Sequence, residues 1–297
     1  MRKWYSDYGL AARMMLTMFL LAAVYLIFLV ILATFGGVDT TGLIFIAAIF
    51  MLIQFFFSDK LVLWSMGARI VTEQEEPRLH ETISRLCAIA DLPKPKIAIV
   101  ESSVPNAFAT GRGKNSAVVA VTTSLKQKLS QPELEAVLAH ELSHVKNRDM
   151  LVITIASFLS TVAFFLVRYM LFFGMGGGNR DRDRGAGAAI IIWIVSLLVW
   201  IISFLLIRAL SRYREFAADR GSAIITGQPS HLASALMAIS GVMERVPEKD
   251  LREVEGMNAF FIIPAISGDS VMNLFSTHPT VEARIRALEE MERKMEF

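Results

Sequence analysis

The sequence predicts a mainly α-helical integral membrane protein, with four transmembrane helices and one folded polar domain that contains a small antiparallel sheet. Three observations predict this fold class. Of the 297 residues, 54% are hydrophobic, which exceeds the about 45–50% of ordinary soluble proteins. The mean hydropathy is +0.49. Four apolar runs of about 20 residues, the length that crosses a bilayer, explain this excess and leave a polar remainder large enough for one domain.

The four apolar runs pair into two helical hairpins. The first hairpin combines residues 14–35 and 40–57, and the second combines residues 151–173 and 188–207. The third run contains one charge, Arg168, close enough to the end of the run to reach the membrane interface. The first run is predicted to be a permanent anchor and not a cleavable signal peptide, because a turn without a small-residue cleavage site joins it to the second run.

The hairpins divide the chain into four parts. Residues 1–60 are predicted to form the N-terminal transmembrane hairpin, and residues 151–207 form the second hairpin. Residues 61–150 and 208–297 are polar and have the patterning of a globular protein. Together these two stretches are long enough to share one core, so we expect a single polar domain interrupted by the second hairpin.

Lysine and arginine near the ends of the spans predict the side on which the polar domain lies, because these residues favour the cytoplasmic side. The turn at 36–39 has none of them. The N-terminal tail and the segment after the second run contain Arg2, Lys3, Arg13, Lys60, Arg69 and Arg78. The polar domain is therefore predicted to be cytoplasmic. Three arginines at the tip of the second hairpin leave open whether that hairpin crosses fully.

The charge balance and the single cysteine exclude two classes of protein. Lys plus Arg number 30 and Asp plus Glu number 28, which gives a net charge of +2 and no basic field for a nucleic-acid partner. Cys87 has no second cysteine with which to form an intramolecular disulfide. It lies in an amphipathic run and is predicted to be a small buried residue of the core.

The candidate chemistry begins on one predicted helix, which starts with a capping box formed by Ser130 and Glu133. Residues four apart share a helix face, so His140 and His144 can direct imidazole nitrogens at one metal ion. Glu141 can reach a water bound to that metal. The alternative is a pair of solvated histidines, but the apolar neighbours of the motif indicate a buried helix. The spacing therefore predicts a catalytic zinc site.

A catalytic zinc site needs a third protein ligand and an open position for water. No further histidine follows at a suitable spacing, so a carboxylate is expected. Glu215 and Asp219 come just after the fourth apolar run and are four residues apart, on one helix face. Glu215 can bind the metal while Asp219 accepts a hydrogen bond from the other nitrogen of a ligating histidine. The alternative is a solvated, ion-paired helix face.

Three short apolar stretches, at residues 97–100, 107–109 and 117–121, are separated by turn residues and predict the small antiparallel sheet. An edge strand beside the zinc helix could hold an extended peptide by backbone pairing. On the residues alone, Asn106 is equally a turn asparagine. His278 before Pro279 is equally a histidine at the start of a helix.

Taken together, these motifs resemble the membrane-bound zinc endopeptidases of the HtpX type, a family that also includes the Ste24-type CAAX-processing proteases. The matching elements are His140-Glu141-x-x-His144, Glu215-x-x-x-Asp219, Asn106-Ala107-Phe108-Ala109-Thr110-Gly111, and Thr277-His278-Pro279 with Arg284-Ile285. The resemblance implies a gluzincin-like metalloprotease domain with one Zn²⁺ per chain. It also implies that the edge strand Asn106, Ala107, Phe108 and Ala109 binds substrate and that His278 stabilises the oxyanion as a catalytic residue.

The resemblance further implies a multi-pass protein of the bacterial inner membrane or plasma membrane that cleaves misfolded or damaged membrane proteins under stress. The expected partners are membrane-protein or peptide substrates and the lipid bilayer, with functional overlap with other quality-control proteases and no nucleic acid. The expected mechanism uses Glu141 as general base on a zinc-bound water. Two alternatives stay open: a CAAX-type processing protease, and a zinc-stabilised scaffold or chaperone without proteolytic activity.

Overall fold

The computed structural model describes residues 8–35, 49, 52–53, 56–57, 59–173, 182–243, 262 and 276–295. The helices are α1 (Tyr8–Phe35), α2 (Pro77–Ala90), α3 (Thr123–Lys128), α4 (Gln131–Asn147), α5 (Asp149–Phe173), α6 (Arg182–Thr226), α7 (Pro229–Met243) and α8 (Val281–Met295). The strands are β1 (Arg69–Ile70), β2 (Lys96–Val100), β3 (Ala107–Thr110) and β4 (Val118–Thr122), with a 3₁₀ turn at Lys114–Ser116.

The chain divides into two compact units. The apolar unit comprises Tyr8–Phe56 and Val152–Leu210, and the polar unit comprises Met1–Asp7, Phe57–Leu151 and Ser211–Phe297. In the apolar unit, parts of α1, α5 and α6 pack around a cluster of buried side chains, because these helices are apolar on nearly every face. One polar contact orients the packing: the Tyr25 hydroxyl donates a hydrogen bond to the Ala156 carbonyl at 2.6 Å.

Among the residues that the structure describes, two helices are long and apolar enough to cross a membrane, Tyr8–Thr34 and Ile190–Thr226. A third span results if α4 and the first part of α5, which meet at a 57° bend, are counted as one broken span. The predicted number of four spans is therefore not confirmed. Most of the predicted span at 40–57 lies outside the described residues, as does most of the hairpin tip after residue 173.

The sheet of the polar unit has the strand order β1-β2-β4-β3. Strand β3 pairs with β4 in antiparallel orientation, and β1 pairs with β2 in the same way, but β2 and β4 run parallel. The expected antiparallel sheet is therefore wrong: the sheet is mixed. The chain passes from β2 to the edge position, turns back at β3, and inserts β4 between the two, which forces β4 to run parallel to β2.

Helix α4 packs against this sheet and against α2 and α7, and its apolar side chains fill the core of the polar unit. The predicted capping box is confirmed: the Glu133 carboxylate accepts a hydrogen bond from the Ser130 backbone N–H at 2.9 Å. The helix ends at Arg148, which adopts the left-handed conformation with φ 55°. Cys87 is 3% exposed, which agrees with its predicted place in the core, and burial raises the pKa of its thiol to about 11.

Candidate metal centre

Three side chains converge in the polar unit at the positions that the sequence predicts for metal ligands. His140 and His144 lie one turn apart on α4, and Glu215 lies on α6. Their ligand atoms all lie within 4.8 Å of one another. The Glu215 carboxylate is 3.7 Å from Nε2 of His140 and 3.5 Å from Nε2 of His144. Two nitrogens and a carboxylate oxygen at this spacing form a donor set that zinc accepts.

The two helices that carry these ligands approach closely because their facing residues are small. Ser222 donates a hydrogen bond from its hydroxyl to the Ala136 carbonyl at 2.6 Å, which joins α6 to α4. Gly221 faces Ser143: a Cβ atom on Gly221 would lie 2.2 Å from the Ser143 hydroxyl oxygen and 2.6 Å from its Cβ. Gly221 therefore permits the helix spacing at which Glu215 reaches the two histidines.

Each histidine has a carboxylate on its other ring nitrogen. Nδ1 of His140 lies 3.0 Å from Asp219, and Nδ1 of His144 lies 2.6 Å from Asp149. A carboxylate accepts a hydrogen bond, so we assign the N–H to Nδ1 in both rings, which leaves a lone pair on each Nε2. The two Nε2 atoms face each other at 3.1 Å. Two facing lone pairs repel unless a cation lies between them, so the donor set fits a bound metal ion.

Two buried arginines hold the two carboxylates in place. Arg284 of α8 is 1% exposed and donates two hydrogen bonds to the Asp219 carboxylate, from Nε at 2.9 Å and from Nη2 at 2.5 Å. Arg214 lies 3.0 Å from Asp149 through Nε. Each metal-binding histidine is thus the first member of a His–Asp–Arg series, and a bidentate pair such as that of Arg284 fixes the orientation of its carboxylate.

Sequence reasoning found only part of these two series. It placed Asp219 beside a ligating histidine, and it gave Arg284 only as one letter of a motif. It did not identify Asp149 or Arg214 as parts of the site. The available signal was the position of Asp149, five residues after His144. Asp149 lies beyond the end of α4, and the sharp turn at Arg148 brings its side chain back to the imidazole.

Glu141 is buried beside the ligands, with 4% of its surface exposed. Its carboxylate accepts a hydrogen bond from the backbone N–H of Ala109 on β3. Burial raises the pKa of Glu141, and the neighbouring His140 and His144 oppose that rise. A carboxyl group with a raised pKa next to a metal site can both accept and return a proton, which is the behaviour that a general base requires.

His278 also reaches the site. Its Nδ1 lies 3.1 Å from the Glu215 carboxylate, and the residue is buried. The structure therefore brings His278 to the metal ligands, although its role toward an oxyanion stays a prediction. Its position follows from the segment before α8, where the Ser276 hydroxyl accepts a hydrogen bond from the His278 backbone N–H.

Strand β3 is one of the two edge strands of the sheet and lies against α4. Asn106, just before it, accepts a backbone hydrogen bond from Thr122. Because pairing alternates in an antiparallel ladder, Phe108 also directs its N–H and C=O at β4, whereas Ala107 and Ala109 direct theirs at the outer edge. The Phe108 side chain packs in the core and its backbone groups face β4, so neither is presented at the outer edge, and its predicted contact with substrate stays a prediction.

Asn106 is fully buried, and its side-chain oxygen accepts a hydrogen bond from the Ile262 backbone N–H at 3.1 Å. The Ile262 carbonyl in turn accepts a hydrogen bond from Arg284 at 2.7 Å. Asn106 therefore joins the edge strand to the Arg284 series, and its predicted contact with substrate stays a prediction.

Comparison with known proteins agrees with this geometry. The sequence pattern of Peptidase family M48 matches residues 73–292. The chain is 67% identical over 295 residues to Protease HtpX homolog 2 of Methanosarcina mazei, which covers 99% of both chains. It is 58% identical over 291 residues to Protease HtpX homolog of Moorella thermoacetica, which covers 98% of this chain and 97% of the relative.

Among solved structures, the crystal structure of S. mikatae Ste24p is similar, with a TM-score of 0.57 and 20% sequence identity over 95% of this chain and 67% of that chain. This likeness concerns the fold. The matches to the family pattern and to the two relatives confirm the resemblance inferred from the four motifs. The chain therefore belongs to Peptidase family M48 and is a membrane-bound metalloendopeptidase.

Proposed function

We propose that the protein is a zinc endopeptidase that hydrolyses peptide bonds in misfolded or damaged membrane proteins. The observation that carries the proposal is the pair of His140 and His144 Nε2 atoms, which face each other beside the Glu215 carboxylate with the buried Glu141 next to them. A purely structural zinc site needs no carboxylate base and no open position. The presence of Glu141 therefore favours hydrolysis over a scaffold role.

His140, His144 and Glu215 would hold the zinc ion, which when bound lowers the pKa of a water molecule and polarises the scissile carbonyl. Asp219 and Asp149 keep the two imidazole rings in the tautomer that directs Nε2 at the metal. The two arginines compensate the negative charge of these carboxylates. This chain's own residues therefore preorganise the ligands before a substrate arrives.

Glu141 takes the proton from the attacking water and returns it to the nitrogen of the leaving amine. Its raised pKa suits both steps, because a carboxylate with a very low pKa would not hold the proton until the amine needs it. His278, beside Glu215, donates a hydrogen bond to the oxyanion of the tetrahedral intermediate. Removal of one such donor typically costs about 3–4 kcal/mol of transition-state stabilisation.

The outer edge of β3 holds the substrate. The backbone groups of Ala107 and the carbonyl of Ala109 point away from β4; Ala107 is fully buried, whereas Ala109 is only partly buried. An extended peptide can therefore pair with the Ala109 carbonyl and add a strand to the sheet. Recognition through the backbone depends on an unfolded segment more than on sequence. This mode of binding supports a role in removing misfolded proteins.

We further propose that the site acts at the cytoplasmic face of a bacterial inner membrane or plasma membrane. The distribution of Lys and Arg supports this orientation. The helix that carries Glu215 is continuous with an apolar segment long enough to span, so the active site is linked to the membrane through one helix. The substrates expected there are cytoplasmic parts of membrane proteins, and the four-part domain layout predicted from the sequence is part of this proposal.

The proposal is tested with the Glu141→Gln variant in purified, detergent-solubilised protein loaded with zinc. We expect the variant to keep one zinc per chain by metal analysis and to lose at least about 10²-fold in the rate of casein cleavage, since the amide cannot accept the proton. Glu135→Gln is the matched control: it lies on the same helix and loses only a partly exposed ion pair with Arg85. Equal cleavage by Glu141→Gln and the wild type would refute the mechanism.

A further inference from the structure

A pocket lies next to the metal centre within the polar unit. One side of its wall is the end of β3 and the loop that follows, from Ala109 to Gly113. The other side is the junction between α4 and α5, where His144, Val145 and residues 148–151 line the pocket. The pocket wall includes the metal ligand His144, so the pocket lies on the His144 side of the site. Ala109 belongs both to the pocket wall and to the strand edge at which a substrate backbone is proposed to pair.

The charges in the pocket wall do not balance. Asp149 is engaged by His144 and Arg214, and the guanidinium group of Arg112 lies 3.6 Å from Asp59. Arg148 is exposed and forms no ion pair with any residue that the structure describes. Arg148 is therefore a charged residue of the pocket wall for which the described residues supply no counter-ion, and it lies beside the proposed peptidase site.

The backbone holds Arg148 at this place. The residue ends α4 in the left-handed conformation, and its N–H donates hydrogen bonds to the carbonyls of His144 and Val145. On the opposite wall, Gly111 has φ +124°, and a Cβ atom there would lie 2.6 Å from the Ser116 carbonyl oxygen. Both walls are thus set by backbone geometry, so the pocket does not depend on a flexible loop alone.

We propose that this pocket is the subsite for an acidic side chain of the peptide substrate and that Arg148 determines this specificity. Guanidinium groups bind carboxylates in a fixed, often bidentate geometry, and the apolar side chains of Val145, Met150 and Leu151 can contact the methylene groups of an aspartate or glutamate. The assignment rests on the proposed peptidase function, because it assigns an occupant to a pocket of that same site.

The test separates binding from hydrolysis. Peptides of one sequence carry Asp, Asn or Lys in turn at each of six consecutive positions. Their affinities are measured by fluorescence anisotropy with two zinc-loaded proteins, the Glu141→Gln variant and the double variant that also carries Arg148→Glu. At one of these positions we expect Asp to bind about fivefold more tightly than Asn, the strength of a partly exposed ion pair. Arg148→Glu should abolish this preference and favour Lys.

Two further variants control for folding and for charge. Arg286→Glu makes the same charge change at an exposed position of α8 outside the pocket wall, and should leave the Asp-to-Asn ratio as in the parent protein. Gly113 has extended backbone and no atom within 4 Å of a Cβ position, so Gly113→Phe adds a bulky side chain to the pocket wall without strain. It should weaken peptides with a large side chain at the sensitive position more than Gly113→Ala does.

The outcomes distinguish the two proposals. If Arg148→Glu reverses the preference for Asp, the result supports the subsite. If the wild type at the same time hydrolyses no peptide, the peptidase mechanism is refuted and the subsite is not. If the wild type hydrolyses peptides but Arg148→Glu leaves the ratio of Asp to Asn affinities unchanged, the subsite is overturned and the peptidase mechanism is not. An unchanged peptide ratio together with weaker binding to vesicles of phosphatidylglycerol would also overturn it, in favour of a lipid headgroup as the partner of Arg148.

Discussion

Replacement of Gly221 by alanine tests whether the close contact between α4 and α6 sets the geometry of the metal centre. The added Cβ atom would lie 2.2 Å from the Ser143 hydroxyl oxygen and 2.6 Å from the Ser143 Cβ, whereas nonbonded carbon atoms normally lie about 3.5–4.0 Å apart. Rotation of the serine does not relieve the second contact, and it would break the hydrogen bond from the serine hydroxyl to the Ala139 carbonyl. The two helices must therefore separate by about 1 Å.

The magnitude follows from two opposing effects. Overpacking of a tight core costs about 1–3 kcal/mol, and the contacts here favour the upper end. Alanine in a helix interior gains up to about 1 kcal/mol over glycine. We expect a net loss of about 2 kcal/mol in the free energy of unfolding. Because Glu215 moves away from the two histidines with α6, we also expect an at least tenfold weaker zinc affinity.

The assay is a denaturant titration for stability and competition with a chelating dye for zinc affinity. Gly241→Ala is the matched control, since Gly241 lies on α7 with open space around a Cβ position, and it should stabilise the protein slightly. Ser143→Gly in the Gly221→Ala background removes both clashing atoms and should restore zinc affinity. If Gly221→Ala binds zinc as tightly as the wild type, the helix spacing does not set the site, and the reasoning is refuted.

Three further predictions address two residues around the ligands and the single cysteine. Asp149→Asn keeps a hydrogen-bond acceptor for His144 but removes the negative charge, so zinc affinity should fall about 10–100-fold by chelator competition, and full affinity would exclude a role for this carboxylate. Arg284→Met leaves the buried Asp219 carboxylate without its bidentate partner and should cost about 3–5 kcal/mol in a denaturant titration, of which Asp219→Asn in the same chain should recover a part. Cys87, with a thiol pKa of about 11 and little exposure, should react with iodoacetamide at pH 7.5 only after unfolding, and rapid labelling of the native protein would contradict its buried position.

Local patterns in the sequence were sufficient to predict the ligand helix. His140 and His144 share a face because the helix repeat dictates it, and the nearby pair of Ser130 and Glu133 marks the start of α4. Glu215 could be predicted because the chemistry of zinc demands a third ligand and because Glu215 and Asp219, just after the fourth apolar run, share one helix face. The role of Asp149 could not, since it depends on the left-handed turn at Arg148, and an arginine gives no signal for that conformation.

Long-range pairing explains the other differences. Alternation of apolar residues indicates that a strand exists but not which neighbour it joins, so the parallel pairing of β2 with β4 could not be predicted from strands that follow each other along the chain. The pairing of Arg284 with Asp219 joins residues 65 positions apart. Neither contact leaves a periodic signal, and each depends on the packing of the whole polar unit.

The continuity of α6 restricts how the length of this chain can change during evolution. The helix runs without a break from Arg182 to Thr226 and includes both an apolar segment and Glu215. Insertion of one residue between Glu215 and Gly221 would turn the carboxylate by about 100° around the helix axis relative to the contact of Gly221 with α4, away from His140 and His144. Insertion of seven residues, about two full turns, would restore its direction but shift it by about 10 Å. Relatives of this enzyme should therefore differ in the lengths of their loops and keep a constant number of residues in this part of α6.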